Sequence, residues 1–414
     1  MKIGRIAGLF LAAALAAGLM SSCGNFWQAP STTTTTTTTS TCTAAPTPTA
    51  TVTASTLTSG NFYILNNVTS TSFQIFGYSI ASGSLTQFTS SAAVAGQGYA
   101  MAIDPNGNYL FVSSTNGIFL FSIATSGSLT LQGNSQAVIQ DATAYAIQVI
   151  STSAATWLLD ASNGIGTQPY LYAIPLNSST FIPTTNTSLS GTPTVKLTSG
   201  GSVSLGGMAV SPDNTLISVA EGSAGVQTFI FTAGNTGSTS PFGSTAYTTA
   251  PKGTAAISVA YSPQSSYLYI GETAVFTCST NSGGLRMISI TAGVPASEPS
   301  TSPYPSGGTS PHAILATANG YVYVANWQGS STGNITGFLV TSTPALTVQS
   351  NTVATGTGPL GMVEDSSDKF VLAASGSGST TFDAYTFDAT TTGQLDIAAT
   401  GSAGTTPVAI VAVP

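Results

Sequence analysis

The sequence predicts an all-β fold, specifically a seven-bladed β-propeller of four-stranded antiparallel blades whose ring is closed by the C-terminal strand. Three observations lead to this prediction. The composition suits strands and tight turns, a sequence unit recurs about every 50 residues, and the array of units is incomplete at both ends. Propeller blades are four-stranded units of this length, so one ring accounts for most of the chain.

The composition favours strands over helices. Only 5% of the 414 residues are charged, whereas the chain contains 44 Gly and 21 Pro and is rich in Thr, Val, Tyr and Phe. Helices on a soluble surface need a charged outer face, which so few charges cannot supply. β-branched and aromatic residues are typical of strands, and Gly and Pro are typical of the turns between them.

The charge distribution argues against a nucleic-acid partner. The formal net charge is −7, and Lys2 and Arg5 lie in a segment that we expect to be removed. The basic residues that remain are scattered along the chain: Lys196, Lys252, Arg286 and Lys369. Binding a phosphate backbone requires clustered cations, so we expect no nucleic acid to bind.

The first residues have the pattern of an export signal. Lys2 and Arg5 precede an apolar run, residues 6–20, that is short for a transmembrane helix. A basic start followed by such a run is typical of a cleaved signal peptide. We therefore expect residues 1–22 to be absent from the mature protein.

A candidate lipidation site follows directly. The segment Leu19-Met20-Ser21-Ser22-Cys23 resembles the bacterial lipobox, in which small residues precede a cysteine that is acylated. The alternative is an ordinary cleavage site followed by an incidental cysteine. We expect Cys23 to carry the lipid and to anchor the protein to a membrane, with the chain in the periplasm or on the cell surface.

A low-complexity segment separates this cysteine from the repeats. Residues 23–60 are rich in Thr, Ser, Ala and Pro and predict a disordered stalk, while residues 61–414 predict the propeller. Cys42 lies in the stalk and Cys278 in the propeller. Three cysteines give no disulfide framework, and whether these two pair is left open.

The repeat unit has an apolar strand, a turn and a second strand rich in Tyr, Leu and Val. Its clearest copy runs from Tyr99 to Val112, with the turn at Asp104-Pro105-Asn106-Gly107. The units, 46 to 62 residues apart, start at residues 99, 145, 207, 258, 312, 361 and 407. Strands with turn signals at this spacing predict consecutive blades.

The two ends of the array complement each other. Residues 62–90 resemble a blade that lacks its first strand, and residues 407–413 form a strand pattern with no further unit behind it. We expect these two segments to pair, because otherwise both ends of the ring would leave an open sheet edge. Six complete units and this shared one make seven blades.

The units resemble the seven-bladed lactonase-type propellers, the family with 6-phosphogluconolactonase-like and muconate-cycloisomerase-like members. The resemblance rests on Asp104-Pro105-Asn106-Gly107, Val324-Ala325-Asn326 and Pro311-His312. It implies lactone hydrolysis, in which enzymatic members use a Pro-His and nearby Asp and Arg residues at the mouth of the central channel. Residues 327–330, which follow the Val-Ala-Asn motif here, include no acid and no base.

Few side chains suggest a reactive site. His312 is the only histidine in the chain, and Arg286 is the only arginine left after processing, so these two are the candidate catalytic residues. For ligand binding at the channel mouth we consider His312, Trp327, Glu221 and Glu272, since each follows or opens a strand near a rim. Structural roles remain the alternative for all of them.

A group of carboxylates needs a separate interpretation. Glu364, Asp365 and Asp368 could hold a hard cation. They occupy the turn where other units have Asp104 and Asp213, so we interpret them as a solvated turn. We expect no metal and no cofactor.

These observations predict a binding or scaffolding module at the cell envelope, with a small molecule, a glycan or a protein bound at the channel mouth. A lactonase-like hydrolase is the first alternative, and a structural envelope component is the second. The sequence leaves open whether the protein is an enzyme at all.

Overall fold

The computed structural model describes residues 60–414 apart from ten short gaps. The gaps are residues 141–142, 164–167, 185–187, 199–204, 237–238, 277–282, 329–331, 343–344, 379 and 392. The predicted signal peptide, lipidation site and stalk lie outside the described residues, as do Cys42 and Cys278. The described residues include no helix that could span a lipid bilayer.

The described residues are almost entirely strands, with one short 3-10 helix at Gly133–Ser135. The strands of the first four blades are β1 (Gly60–Thr69), β2 (Ser72–Ala81), β3 (Ser84–Ser90), β4 (Val94–Ala95), β5 (Gly98–Ile103), β6 (Tyr109–Ser114), β7 (Gly117–Ile123), β8 (Leu129–Leu131), β9 (Ala144–Ser151), β10 (Thr156–Asn163), β11 (Pro169–Leu176), β12 (Thr194–Lys196), β13 (Met208–Val210), β14 (Leu216–Ala220), β15 (Val226–Phe231) and β16 (Phe242–Thr249). The remaining strands are β17 (Ala255–Tyr261), β18 (Tyr267–Thr273), β19 (Gly284–Thr291), β20 (Val294–Ser297), β21 (Tyr304–Pro305), β22 (Ser310–Ala316), β23 (Tyr321–Trp327), β24 (Thr332–Val340), β25 (Leu346–Glu364), β26 (Phe370–Ser377), β27 (Phe382–Phe387), β28 (Leu395–Gly401) and β29 (Pro407–Ala412).

Strand pairing confirms the seven-bladed ring of four-stranded antiparallel sheets. Blade 1 has the order β29-β1-β2-β3, and blades 2 to 5 begin with β5, β9, β13 and β17 as their innermost strands. Blades 6 and 7 share the long strand β25, whose first half pairs with β24 and whose second half pairs with β26. The innermost strands thus begin where the sequence units were predicted to begin.

The C-terminal strand closes the ring as predicted. β29 pairs antiparallel with β1, so that Phe62 lies opposite Ala412 and Ile64 lies opposite Ile410. β29 therefore supplies the innermost strand of blade 1 from the far end of the chain. Closure removes the two open sheet edges that the termini would otherwise leave.

The core lies between adjacent blades. One cluster joins Tyr63 and Leu65 of blade 1 to Leu110 and Val112 of blade 2, all with no exposed surface. Full burial of an aliphatic side chain stabilises a fold by about 1.5–3 kcal/mol, so each pair of neighbouring blades stabilises the ring. Because successive side chains of a strand point to opposite faces of the blade, each strand packs against both neighbouring blades.

The turn between the first and second strand of a blade is held by a buried polar side chain. This position, which we call the turn end, is occupied in five blades by Asp104, Ser211, Ser262, Thr317 and Asp365. The Asp365 carboxylate accepts hydrogen bonds from the amides of Lys369 (2.9 Å) and Phe370 (2.7 Å). The Ser262 hydroxyl accepts equivalent bonds from the amides of Ser266 (2.9 Å) and Tyr267 (3.0 Å). A buried acceptor therefore satisfies the turn amides.

Candidate functional site

At the opposite end from the turn, the innermost strands carry a repeated irregularity. In six blades the register between the first and second strand shifts by one residue, which is a β-bulge. The bulged residues are Tyr99, Tyr145, Ile257, His312, Leu360 and Val408. In blade 4 the chain at this level is Gly206-Gly207. We call these positions the bulge ring.

The bulge ring surrounds a cavity of about 440 Å³ in the centre of the propeller. All six bulged residues and the two glycines of blade 4 line it, together with deeper residues of the seven innermost strands. Its volume is within the range of about 300–1,000 Å³ that is typical of ligand pockets. Within the described part of the chain, no Asp, Glu, Lys or Arg side chain lines this cavity. We call its open end the channel mouth.

His312 lies in the wall of this cavity, where the sequence predicted a site residue. It is held by its neighbours: Ser258 of blade 5 donates a hydrogen bond of 2.6 Å to the carbonyl oxygen of Pro311. A Cβ atom at Gly271 would lie 2.3 Å from the Ser258 hydroxyl oxygen, so the glycine makes room for this link between blades. Burial lowers the pKa of His312, which favours the neutral imidazole.

Trp327 packs beside this histidine rather than in the cavity wall. The His312 and Trp327 ring centroids are 5.0 Å apart with an interplanar angle of 53°. The Thr309 hydroxyl donates to the Trp327 carbonyl oxygen (2.6 Å), which fixes the end of β23. Trp327 is therefore placed to orient the imidazole and has only partial exposure of its own.

Two tyrosines form a second aromatic group in the bulge ring. Tyr99 of blade 2 and Tyr145 of blade 3 have ring centroids 5.4 Å apart and an interplanar angle of 40°. Burial and the neighbouring Tyr145 raise the pKa of Tyr99. The sequence showed both residues as starts of repeat units and gave no indication that they would face the cavity.

Behind the bulge ring lies a ring of buried polar residues. The residue at the end of the second strand lies opposite the bulge in six blades and level with Gly206-Gly207 in blade 4. It is polar and almost fully buried in all seven blades: Asn66, Ser114, Ser162, Glu221, Glu272, Asn326 and Ser375. Several of them bind the loop that leads into the innermost strand. Asn66 accepts from the Thr406 amide (2.8 Å), and Asn326 donates to the Ser306 carbonyl oxygen (2.8 Å).

Glu272 and Arg286 belong to this supporting structure and do not line the cavity. They form a buried ion pair of 2.8 Å, and Glu298 binds the other side of the Arg286 guanidinium at 2.9 Å. Glu272 also accepts the amides of Lys252 (2.8 Å) and Gly253 (3.2 Å). The structure thus places these two candidates in the frame of blade 5, because residues 14 positions apart meet on neighbouring strands.

Glu221 occupies the same position in blade 4 without an arginine. It is 1% exposed, and its burial raises the pKa of Glu221 to about 7, a shift that polar groups of Thr198 offset only in part. Glu221 is absent from the cavity wall. Of the four predicted ligand-binding residues, the structure therefore places only His312 in the wall, with Trp327 next to it.

The carboxylate group of blade 7 differs from the prediction in one respect. Asp365 is 1% exposed, so it is a buried turn-end residue, whereas Asp368 is solvated as predicted. Burial, followed by the charges of Asp368 and Asp365, raises the pKa of Glu364 to about 7. No group of three or more metal-ligating side chains occurs among the described residues.

The fold and the cavity define a seven-bladed β-propeller with a central ligand-sized site. Residues 207–412, which cover blades 4 to 7 and the closing strand, match the family model described as lactonase, 7-bladed β-propeller. This match covers just under half of the chain and shows a similarity to the lactonase family in that part of the ring. No curated protein shows significant sequence similarity to the chain.

Solved structures show the same fold. A putative 6-phosphogluconolactonase from Bacteroides uniformis is 15% identical, with a TM-score of 0.63, and the match covers 86% of this chain and 99% of that one. A putative 6-phosphogluconolactonase from Bacteroides fragilis is 13% identical over 86% and 98% of the two chains, with a TM-score of 0.65. The periplasmic gluconolactonase of Pseudomonas aeruginosa is 13% identical over 86% and 99%, with a TM-score of 0.61. At these identities the similarity concerns the fold.

Proposed function

We propose that this protein hydrolyses an uncharged lactone at the channel mouth, with His312 as the general base. The observation that carries the proposal is the placement of the only histidine of the chain in the wall of the central cavity. Its lowered pKa keeps the imidazole neutral at neutral pH, which is the form that can accept a proton.

The reaction needs few groups. His312 accepts a proton from a water molecule while the water oxygen attacks the lactone carbonyl carbon. The ester bond between that carbon and the ring oxygen then breaks, and the imidazolium returns the proton to the ring oxygen. The product is a hydroxy acid, which releases a proton to solvent. Gln148 is among the residues that line the cavity, and its side-chain amide can supply hydrogen-bond donors for the substrate.

The cavity favours an unphosphorylated substrate. Phosphate recognition generally uses Arg or Lys side chains. The described wall contains neither, and Arg286 is bound to Glu272 and Glu298 elsewhere in blade 5. A sugar lactone without phosphate is therefore preferred over 6-phosphogluconolactone.

The similarity to lactonase-type proteins supports a hydrolase better than a scaffolding module. The matched family is described as lactonase, and the similar structures include proteins described as 6-phosphogluconolactonases and a gluconolactonase. Because a propeller fold serves many functions, this support is one of family and fold.

The test is hydrolysis of glucono-1,5-lactone by residues 60–414, measured against the spontaneous rate. Loss of a general base typically costs about 10²–10⁴-fold, so His312→Ala is expected to lower kcat/KM by that amount. Val348→Ala, an exposed position on the outer strand of the same blade, is the control and keeps the wild-type rate. Turnover that equals the spontaneous rate, or that survives His312→Ala, would overturn the proposal.

A binding module without turnover is the second candidate. It is favoured by the absence of carboxylates and cations from the described cavity wall, since lactone opening also requires stabilisation of a developing oxyanion. Saturable binding of gluconolactone or gluconate without hydrolysis would favour this candidate.

We also propose that the protein acts at the cell envelope, anchored through Cys23. This rests on the basic start, the apolar run and the lipobox-like segment of the sequence. Cys23→Ser should release the protein from the membrane fraction and abolish labelled-palmitate incorporation. Unchanged fractionation and labelling would contradict the anchor.

A further inference from the structure

The bulge ring carries aromatic groups on two opposite sides of the channel mouth. His312 lies in blade 6, and Tyr99 and Tyr145 lie in blades 2 and 3. Each of these two blades is three blades away from blade 6 by the shorter path, the largest separation that a seven-membered ring allows. A ligand that contacts both groups must therefore extend across the mouth.

The tyrosine side is open to such a ligand. Four large apolar side chains are exposed in the described part of the chain, and of these only Tyr145, at 39%, lines the cavity. Next to it, Gly206 and Gly207 leave the bulge ring without a side chain in blade 4. A Cβ atom at Gly206 would lie 2.4 Å from the Ile257 carbonyl oxygen, so glycine is required there.

The chemistry of the tyrosine pair fits a carbohydrate ring. The described residues provide no hydrogen-bond partner for either hydroxyl, so both remain available to a ligand. An aromatic face packs against the apolar face of a pyranose, while a phenolic hydroxyl can bond to the hydroxyls at its edge. The lack of charged side chains in the described wall selects a neutral ligand.

We propose that Tyr99 and Tyr145 form a subsite for a second sugar ring, so that the preferred ligand is a neutral disaccharide or its aldonolactone. The reducing-end ring lies at His312, and the other ring stacks on the tyrosines. This inference rests on the proposed function for the position of the lactone, whereas the tyrosine subsite itself can be tested by binding alone. In the hydrolysis only the lactone ester bond breaks, and the glycosidic bond is retained.

The first experiment measures binding without chemistry. Calorimetric titration of the protein with cellobiose, maltose and lactose is compared with titration with glucose. At least one disaccharide is expected to bind about tenfold more tightly than glucose, as one stacked ring would contribute. Equal affinity of glucose and all three disaccharides would overturn the proposal.

Substitutions test whether the tyrosines cause the higher affinity for the disaccharide. Tyr145→Ala should reduce the affinity for the disaccharide to that for glucose, while Tyr145→Phe should keep most of the gain because the ring remains. Tyr247→Ala, at a half-buried tyrosine of the outer strand β16, is the matched control and should leave both affinities unchanged. An equal loss in Tyr145→Ala and Tyr247→Ala would contradict a specific subsite.

Kinetics separate this inference from the proposed function. If the enzyme is active, kcat/KM for cellobionolactone should exceed that for gluconolactone, and Tyr145→Ala should remove the difference. Disaccharide binding without any hydrolysis would refute the catalytic role of His312 and leave the subsite intact. Gluconolactone hydrolysis with no preference for disaccharides would refute the subsite and leave the catalytic role intact.

Discussion

The two ends of the innermost strands differ in which feature is the same from blade to blade, the role of a side chain or the geometry of the backbone. At the turn end, Asp104, Ser262 and Asp365 have the same structural role, since each accepts hydrogen bonds from the amides of its own turn. At the bulge ring the backbone geometry repeats while the side chains change from tyrosine to histidine to aliphatic residues. Repetition at one end indicates a structural requirement, and variety at the other indicates a surface free to acquire a function.

The largest expected loss of stability comes from removing β29, the innermost strand of blade 1. A chain that stops before Pro407 loses the main-chain pairing to β1 and the buried side chain of Ile410. With about 1 kcal/mol for each hydrogen bond and 1.5 or more for a buried aliphatic side chain, the free energy of unfolding should fall by several kcal/mol. Urea denaturation measures this loss.

A chain that stops at Ala412 is the control for the truncation. It keeps the strand and loses only the bond from the Val413 amide to the Asn61 carbonyl oxygen (2.9 Å) and the partly buried Val413 side chain. Equal denaturation midpoints for the two truncated chains would contradict ring closure by β29.

At the turn end, Asp365→Ala should destabilise the protein without affecting the channel mouth. Two strand-forming amides, of Lys369 and Phe370, would lose a buried charged acceptor. We expect a loss of about 2–4 kcal/mol, because hydrogen bonds to charged groups contribute about 1.5–3 kcal/mol each. Asp365→Ser, which introduces the residue found at Ser211 and Ser262, should lose clearly less. If the two variants were equally unstable, the turn-end positions would not be equivalent.

The polar ring behind the channel mouth gives a pH-dependent test. The pKa of Glu221 in the folded protein is about 7, above its ordinary value of 4.5. The folded state therefore holds the proton more tightly than the unfolded state, and the stabilisation is complete below pH 4.5 and is lost as the pH rises to about 7. Glu221→Gln cannot ionise, so its stability relative to wild type should increase between pH 4.5 and 7.5, on the order of 2 kcal/mol.

Glu272→Gln is the matched control in blade 5. Because Arg286 loses its charged partner, this variant should be less stable than wild type at both ends of the same pH range. A Glu221→Gln curve parallel to that of wild type would contradict the raised pKa of Glu221.

The sequence predicted the ring because each blade repeats an apolar strand, a turn and a second strand. It predicted the turn ends and the closing strand for the same reason. The bulge ring was missed, since a register shift of one residue depends on which residues pair across strands. One signal was available: a proline precedes the bulged residue in three blades, at Pro311, Pro359 and Pro407. Proline lacks the amide hydrogen of a regular ladder and is typical of bulges.

The same distinction applies to the individual site residues: the repeat pattern locates some of them, and strand register locates the others. His312 could be placed at the channel mouth because it opens an innermost strand. Arg286 and Glu272 could not be recognised as partners, because their contact depends on the register between β18 and β19. Tyr99 and Tyr145 were not recognised as site residues, because in the sequence they only mark the starts of two repeat units. In the structure both line the cavity.

A functional site at the channel mouth can be tested at His312 directly, because it is the only histidine in the chain. In protein labelled at histidine, the imidazole C2–H signal belongs to one residue, and its position against pH gives the pKa of His312. We expect a pKa below the ordinary value of 6.5 and a shift of the signal when gluconolactone or gluconate is added. An ordinary pKa together with a signal that no ligand moves would contradict a functional site at the channel mouth.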